Sequence, residues 1–141
     1  MSSSEFFFDP LNDAELDELM EFSHLEVAEY GHVILKQGDL DGGHAYLIIV
    51  GQVKIERMDG SPQLVTELGP GQIFGEFSFF SHTTRSASVI ANKYTEFLKI
   101  NLSDIDEMFE AYPRTAFNLL KYIAKEASLK LSHRATSSRS S

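Results

Sequence analysis

At 141 residues the chain has the size of a single domain, and it is long enough to bury a hydrophobic core without covalent staples. It contains no cysteine, which excludes disulfides and thiolate metal sites, and its net charge of −9 at pH 7 argues against generic binding to nucleic acid. No segment has the pattern of a secretory signal or is apolar for long enough to cross a bilayer. We therefore expect a cytoplasmic protein without a membrane segment.

Residues 12–29 have the pattern of an amphipathic helix. Asn12 fits the N-cap position, and Glu15 three residues later completes a capping box. Apolar residues recur at helical spacing and are expected to belong to the core: Leu16, Leu19, Met20 and Phe22.

Charge is distributed unevenly between the two ends of the chain. Residues 1–29 carry nine acidic residues and no Lys or Arg, whereas residues 111–141 carry six Lys or Arg and one acidic residue. Two separately solvated helices would give this asymmetry, and so would an acidic helix packed beside a basic one. We predict the second arrangement.

Between residues 30 and 101, short β-branched and aromatic runs alternate with Gly, Asp and Pro. The predicted strands are 32–35, 45–50, 53–57, 64–68, 86–91 and 95–100. Strands at this spacing, with turn residues between them, are typical of an all-β barrel or sandwich. Asp59-Gly60 predicts a hairpin within residues 52–68.

Helical patterning returns over residues 103–132. Ser103 fits the N-cap of a helix over 104–110, and Pro113 suits the first turn of a last helix. An apolar seam at 3-4-3-4 spacing follows: Phe117, Leu120, Ala124, Ala127 and Leu131. Residues 133–141 are rich in Ser and are expected to form a flexible tail.

The segment 74–88 carries the residues suited to bind a ligand. Gly75 lets the backbone approach a ligand closely, and the N–H groups of a short helix beginning near Glu76 favour an anion. Arg85 is the one Lys or Arg of the segment, and a guanidinium facing exposed amides is suited to one phosphate. Glu76 would repel a phosphate but can accept a hydrogen bond from a sugar hydroxyl. Together these residues predict a ligand with ribose and phosphate.

This segment resembles the phosphate-binding cassette of the cyclic-nucleotide-binding domain family. The family pattern is roughly Phe-Gly-Glu-Leu-Ala-Leu, a short loop, then Arg-x-Ala-Ser/Thr on a strand. The matching residues are Phe74, Gly75, Glu76, Arg85, Ala87 and Ser88. The chain departs from the pattern at Phe77, Ser78, Phe79 and Thr84. The resemblance covers almost all of residues 1–141 and implies one mainly β domain. That domain is an eight-stranded jelly-roll barrel with an N-terminal helix and a closing C-terminal helix.

The resemblance also implies roles for individual residues. Arg85 would bind the exocyclic phosphate, and Glu76 would bind the ribose 2′-hydroxyl. The rest of the cassette site is Gly75, Phe77, Ser78, Ser86 and Ala87, largely through backbone amides. Ile55 and Val65, which we expect to be core residues, would form part of the apolar floor under the purine. The closing helix would supply a lid near Lys130, Leu131, Ser132 and His133.

The ligand implied is cAMP or cGMP, without a metal. Ser86, which follows the cassette arginine, suits either purine, and we expect cAMP. The closing helix would fold down over the purine and relay binding to a protein effector, with a weak homodimer through that helix as a further possibility. No helix-turn-helix follows it, so a DNA-binding role is not expected.

Two alternatives stay open from the sequence. One is an interaction module of the same fold that does not bind nucleotide. Another is a sensor of a different small anion or nucleotide. An enzyme of the metal-dependent jelly-roll kind is not expected, because the sequence has no His-x-His pair.

Overall fold

The computed structural model describes the backbone of residues 8–140, and the side chains of that range except for His82 and residues 131–140. The helices are α1 (Asp13–Glu21), α2 (Ile105–Ala111) and α3 (Pro113–Ser140), with 3₁₀ helices at Glu76–Ser78 and Leu102–Asp104. The strands are β1 (Ser23–Ala28), β2 (Val33–Leu35), β3 (Leu40–Gly42), β4 (His44–Val50), β5 (Val53–Asp59), β6 (Ser61–Leu68), β7 (Ile73–Phe74), β8 (His82–Thr84), β9 (Ser88–Ala91) and β10 (Thr95–Asn101).

The strands form a jelly roll with helices at its two chain ends, as predicted. One four-stranded antiparallel sheet has the order β1-β10-β4-β7, and a second has the order β2-β9-β5-β6. Strands β3 and β8 pair as a separate two-stranded ribbon. The predicted hairpin at Asp59-Gly60 is confirmed, because it joins β5 to β6.

Strand β4 separates two hydrophobic cores. Its side chains alternate in direction, so Leu47 and Ile49 face the helices while Tyr46 and Ile48 face the second sheet. The core on the helix side also includes Leu16 and Leu19 of α1, and Leu119 and Ile123 of α3. Burial on both faces explains why the sequence of β4 is an almost continuous apolar run.

The predicted helix over 12–29 is wrong in its second half. The capping box of Asn12 and Glu15 is present, but α1 ends at Glu21. Residues Ser23–Ala28 form β1, each paired with a residue of β10 from Ile100 to Thr95. The ladder with β10 satisfies the backbone N–H and C=O groups of this segment, and this tertiary pairing overrides the local helical pattern.

The predicted cap of the next helix is also wrong. Ser103 lies inside the 3₁₀ helix Leu102–Asp104, and the N-cap residue of α2 is Asp104, which makes no side-chain capping bond. Pro113 does begin the last helix, as predicted. That helix extends to Ser140, past the predicted end near Ser132, and mobility of the tail stays a prediction.

Helices α1 and α3 lie side by side, as the charge asymmetry predicts. Among the described side chains, the polar contacts between the two helices are hydrogen bonds to carboxylates of α1, and none is an ion pair. Tyr112, next to α3, donates to Glu21, Thr115 donates to Glu18 at 2.6 Å, and Asn118 donates to Glu15 at 3.1 Å. The acidic face of α1 thus holds the start of α3 through hydroxyl and amide groups.

The predicted seam coincides only in part with the face of α3 that packs on the barrel, since Leu120 of the seam packs against the core on the helix side. Ala116, Leu119 and Ile123 are fully buried, whereas Phe117 and Ala124 of the seam are exposed. The side chain of Leu131 lies outside the described residues. Homodimer formation through this exposed face stays a prediction.

Candidate functional site

The ribbon of β3 and β8 positions Arg85. Leu40 pairs with Thr84, and the ribbon continues one residue further through a hydrogen bond of 2.8 Å from the Arg85 N–H to the Asp39 carbonyl. Side chains diagonal to each other across such a pair share a face. Arg85 therefore lies on the same face as Asp41, two residues along β3.

The guanidinium of Arg85 is buried and only partly bonded. The residue is 5% exposed, Nη2 donates to Oδ2 of Asp41 at 3.1 Å, and Nη1 donates to the carbonyl of Gly75 at 3.3 Å. Nε has no hydrogen-bond partner, and it is the one buried side-chain polar atom of the described residues in that condition. A buried donor without an acceptor raises the free energy of the folded state. The N–H of Nε is therefore suited to donate a hydrogen bond to an oxygen of a ligand.

Asp41 fixes the orientation of Arg85. Partial burial acts to raise the pKa of Asp41, but the hydrogen bond and the charge of Arg85 outweigh it, and the pKa lies below its ordinary value. The carboxylate therefore stays ionised at neutral pH, and the ion pair leaves Arg85 with one negative partner. Sequence reasoning did not find Asp41, because its pairing with Arg85 depends on the long-range ribbon.

A tight turn brings the backbone of Gly75 against Arg85. Gly75 is left-handed with φ of 79°, and a Cβ there would lie 3.0 Å from Tyr46 and 3.3 Å from Nη1 of Arg85. The Tyr46 ring stacks on Phe74 with centroids 4.9 Å apart, and burial raises the pKa of Tyr46 to about 12. Only glycine meets both the conformation and the space, which is the reason for this residue in the cassette.

Glu76 opens the 3₁₀ helix that follows, as predicted, and it is 4% exposed. Its Oε2 lies 2.6 Å from Nζ of Lys130, which also donates to the carbonyl of Ile73 at 2.8 Å. The two candidate ligand-binding charges are therefore each paired within the chain, Arg85 with Asp41 and Glu76 with Lys130. The structure thus brings predicted lid residue Lys130 onto the cassette itself.

The other predicted site residues differ in how far they are buried. Ser78 is buried, with its Oγ 2.7 Å from Oγ1 of Thr83, so its side chain holds the loop. Of the remaining cassette residues, Phe77 and Ala87 are half-buried and Ser86 is exposed. The lid residues Leu131, Ser132 and His133 lie outside the described side chains.

Only one of the two residues predicted to lie under the purine packs against a hydrophobic core. Ile55 packs against the core between the sheets, but Val65 is 50% exposed, so the expectation that Val65 is a core residue is wrong. The β5–β6 register shifts at this point, with Ile55 opposite Thr66 and Glu56 opposite Leu64. Val65 is the extra residue of a β-bulge, which changes the direction of its side chain.

A polar cavity of about 320 Å³ adjoins Arg85 from the side of β2 and β3. Its lining is Ile34, Leu35, Lys36, Asp39, Leu40, Asp41 and Arg85. It shares Arg85 with the predicted site, but Glu76, Ile55 and Val65 do not line it. Arg85 therefore also borders a cavity on a side that the sequence did not indicate.

Comparison with known protein families identifies this domain. The family model described as the cyclic nucleotide-binding domain matches residues 25–112, which include the cassette, the ribbon and both sheets. The chain belongs to the cyclic nucleotide-binding domain family. The match begins after α1 and ends before α3, so it covers the jelly roll of the cyclic nucleotide-binding domain.

Individual relatives extend the similarity into the helices. The cyclic AMP receptor protein of Thermus thermophilus is 33% identical over 129 residues, which is 88% of this chain and 59% of the relative. The crystal structure of the Thermus thermophilus catabolite activator protein has a TM-score of 0.71 at 32% identity, covering 91% of this chain and 62% of the other. A cyclic nucleotide-binding domain from Methylobacillus flagellatus has the same fold, with a TM-score of 0.74 at 23% identity over 96% of this chain and 76% of that one.

The described residues contain no group of three or more His, Asp or Glu side chains arranged to hold a metal ion. No helix in this part of the chain is both long enough and apolar enough to cross a membrane.

Proposed function

We propose that the chain binds a cyclic nucleotide, cAMP in preference to cGMP, and acts as a regulatory sensor rather than as an enzyme. The observation that carries the proposal is the buried guanidinium of Arg85, whose Nε lacks an acceptor. A cyclic phosphate has one negative charge and two exocyclic oxygens, so it can fill that position with a charge-assisted hydrogen bond. Action in the cytoplasm stays a prediction.

Glu76 adds a second condition on the ligand, which is a hydroxyl group near the phosphate. A buried carboxylate near a phosphate-binding arginine repels a simple anion but accepts a hydrogen bond from a sugar hydroxyl. The pair Arg85 and Glu76 therefore favours a ligand with a ribose hydroxyl close to its phosphate, which a cyclic nucleotide has. The name of the Thermus thermophilus relative supports cAMP as the nucleotide.

The proposed output passes through α3. This helix packs on the barrel through Leu119 and Ile123, and Lys130 reaches the cassette. A ligand shifts the position of α3 only if its contacts differ between two arrangements of the helix. Hydrogen exchange of residues 113–130 with and without nucleotide tests this output. Unchanged exchange at saturating nucleotide, with protection confined to residues 74–88, would show that α3 does not transmit binding.

A small anion without a sugar is the second candidate ligand. The cavity on the β2–β3 side reaches Arg85 without Glu76. Its lining has one further cation, Lys36, but also the carboxylates of Asp39 and Asp41, so its charges balance and it has no net attraction for an anion. Competition of cAMP, cGMP, 5′-AMP and inorganic phosphate against labelled cAMP separates the two candidates. The proposal expects displacement by the cyclic nucleotides at the lowest concentrations. Displacement by inorganic phosphate as effective as by cAMP would favour the anion.

A further inference from the structure

The ammonium of Lys130 lies at the point where the cassette has its buried negative charge. Nζ is 2.6 Å from Oε2 of Glu76 and 2.8 Å from the Ile73 carbonyl. Glu76 is 4% exposed, whereas the Lys130 side chain is 33% exposed. Lys130 therefore reaches from the surface of α3 to a carboxylate that water hardly contacts, 54 residues away in the sequence.

A buried carboxylate beside a phosphate-binding site has two costs. Removal of its charge from water is unfavourable unless a counter-charge is present. Its charge also repels the phosphate that Arg85 is suited to bind. The two ion pairs, Arg85 with Asp41 and Glu76 with Lys130, sum to zero charge, and without Lys130 the same side chains sum to −1.

We propose that Lys130 is a charge-compensating residue of the site: by offsetting the charge of Glu76, it permits an anionic ligand to bind next to a sugar-binding carboxylate. The inference rests on the proposed function, since it concerns how that site accepts a cyclic phosphate. It differs from a lid role, in which Lys130 would only cover the purine or hold the end of α3.

A double-mutant cycle separates charge compensation from packing. Lys130→Met keeps an apolar stem of similar length and removes the charge, and Lys130→Arg keeps the charge. Glu76→Gln removes the charge that needs compensation while keeping an acceptor for a hydroxyl. If Lys130 only packs α3 onto the barrel, Lys130→Met lowers the stability of the fold by the same amount whether residue 76 is Glu or Gln.

The experiment is calorimetric titration of the full chain with cAMP and with cGMP. We expect Lys130→Met to weaken binding by about tenfold or more, and Lys130→Arg to stay within about threefold of the wild type. The double variant with Glu76→Gln and Lys130→Met returns the summed charge to zero, so it should bind more tightly than Lys130→Met alone. Lys125→Met, an exposed position on the same helix, is the matched control and should leave affinity unchanged.

Thermal unfolding of the same variants without nucleotide gives an independent readout. Lys130→Met should lower the melting temperature more when residue 76 is Glu than when it is Gln. A double variant that bound no more tightly than Lys130→Met, or equal melting shifts in both backgrounds, would overturn the inference. Absence of binding by the wild type would contradict the proposed function and the ligand half of this inference, while the melting cycle would still decide whether Lys130 compensates Glu76.

Discussion

The two ends of the candidate site are built differently. At the phosphate end, Arg85 is buried and held by Asp41 and the Gly75 carbonyl. At the base end, Val65 lies exposed on a bulge and Ile55 is only half-buried. The phosphate end is thus ordered by contacts within the chain, whereas the base end offers apolar surface that a purine would cover. We therefore expect large losses of affinity from changes at the first end and small losses at the second.

The largest effect is expected at Arg85. Arg85→Ala should weaken binding of cAMP by about 30-fold to several-thousand-fold, because it removes one partner of a buried, hydrogen-bonded charge pair. Arg85→Lys should also bind poorly, since an ammonium lacks the planar fork and has no Nε. Titration calorimetry measures both. Arg114→Ala, at an exposed position at the start of α3, is the control and should bind normally. Wild-type affinity in a folded Arg85→Ala variant would show that the phosphate is held elsewhere.

Substitution of Gly75 tests whether nucleotide binding depends on the close approach of the backbone to Tyr46 and Arg85. Gly75 and Gly60 both have positive φ, but a Cβ at Gly60 meets no atom within 4 Å, whereas one at Gly75 meets Tyr46 and Arg85. Alanine at either position should cost about 1–2 kcal/mol of unfolding free energy through its backbone conformation. Only Gly75→Ala should also weaken nucleotide binding. Denaturant unfolding and titration of both variants measure this, and equal behaviour of the two would contradict a role for crowding at the cassette.

The ion pair between Asp41 and Arg85 should make the free energy of unfolding depend on pH in the acidic range. Burial acts to raise its pKa, but Arg85 lowers it below the ordinary value of 3.8. A carboxyl group with a depressed pKa in the folded state stabilises that state above its unfolded pKa, and the contribution is lost as the pH falls through the folded pKa. The difference in unfolding free energy between wild type and Asp41→Asn should therefore be constant near neutral pH and shrink below about pH 4. A difference that grew on acidification would have the wrong sign.

The smallest effect is expected at the base end. Val65→Ala should reduce affinity by only about two- to fivefold, because it removes little apolar area from the contact with a purine. Its unfolding free energy should hardly change, since half of the side chain is already exposed. Val27→Ala, on β1 outside the site, is the matched exposed control. A loss at Val65 as large as that at Arg85 would remove the contrast between the two ends.

The sequence predicted the residues whose role is local. Gly75 and Glu76 belong to one turn, and the glycine there meets the left-handed backbone conformation that the turn requires. An all-β barrel or sandwich was also predictable, because the spacing of strands and turns is a local pattern, whereas the jelly roll was implied by the resemblance of segment 74–88 to a known family. Six strands and the hairpin at Asp59-Gly60 were found in this way.

The partners of the site charges were not predictable. Asp41 lies 44 residues from Arg85, and Lys130 lies 54 residues from Glu76, so each pair depends on how the ribbon and α3 come together. The same reason explains the error at Ser23–Ala28, where pairing with β10 decides the conformation. The exposure of Val65 depends on a register shift between β5 and β6 that has no signal in residue type.

The most direct test of the account is a crystal structure of the chain with cAMP bound. The account predicts an exocyclic phosphate oxygen within about 3 Å of Arg85 Nε, and a ribose hydroxyl within hydrogen-bond distance of Glu76. It also predicts that the purine covers Ile55 and Val65. A nucleotide that bound in the cavity on the β2–β3 side, with Glu76 making no contact to the sugar, would contradict it.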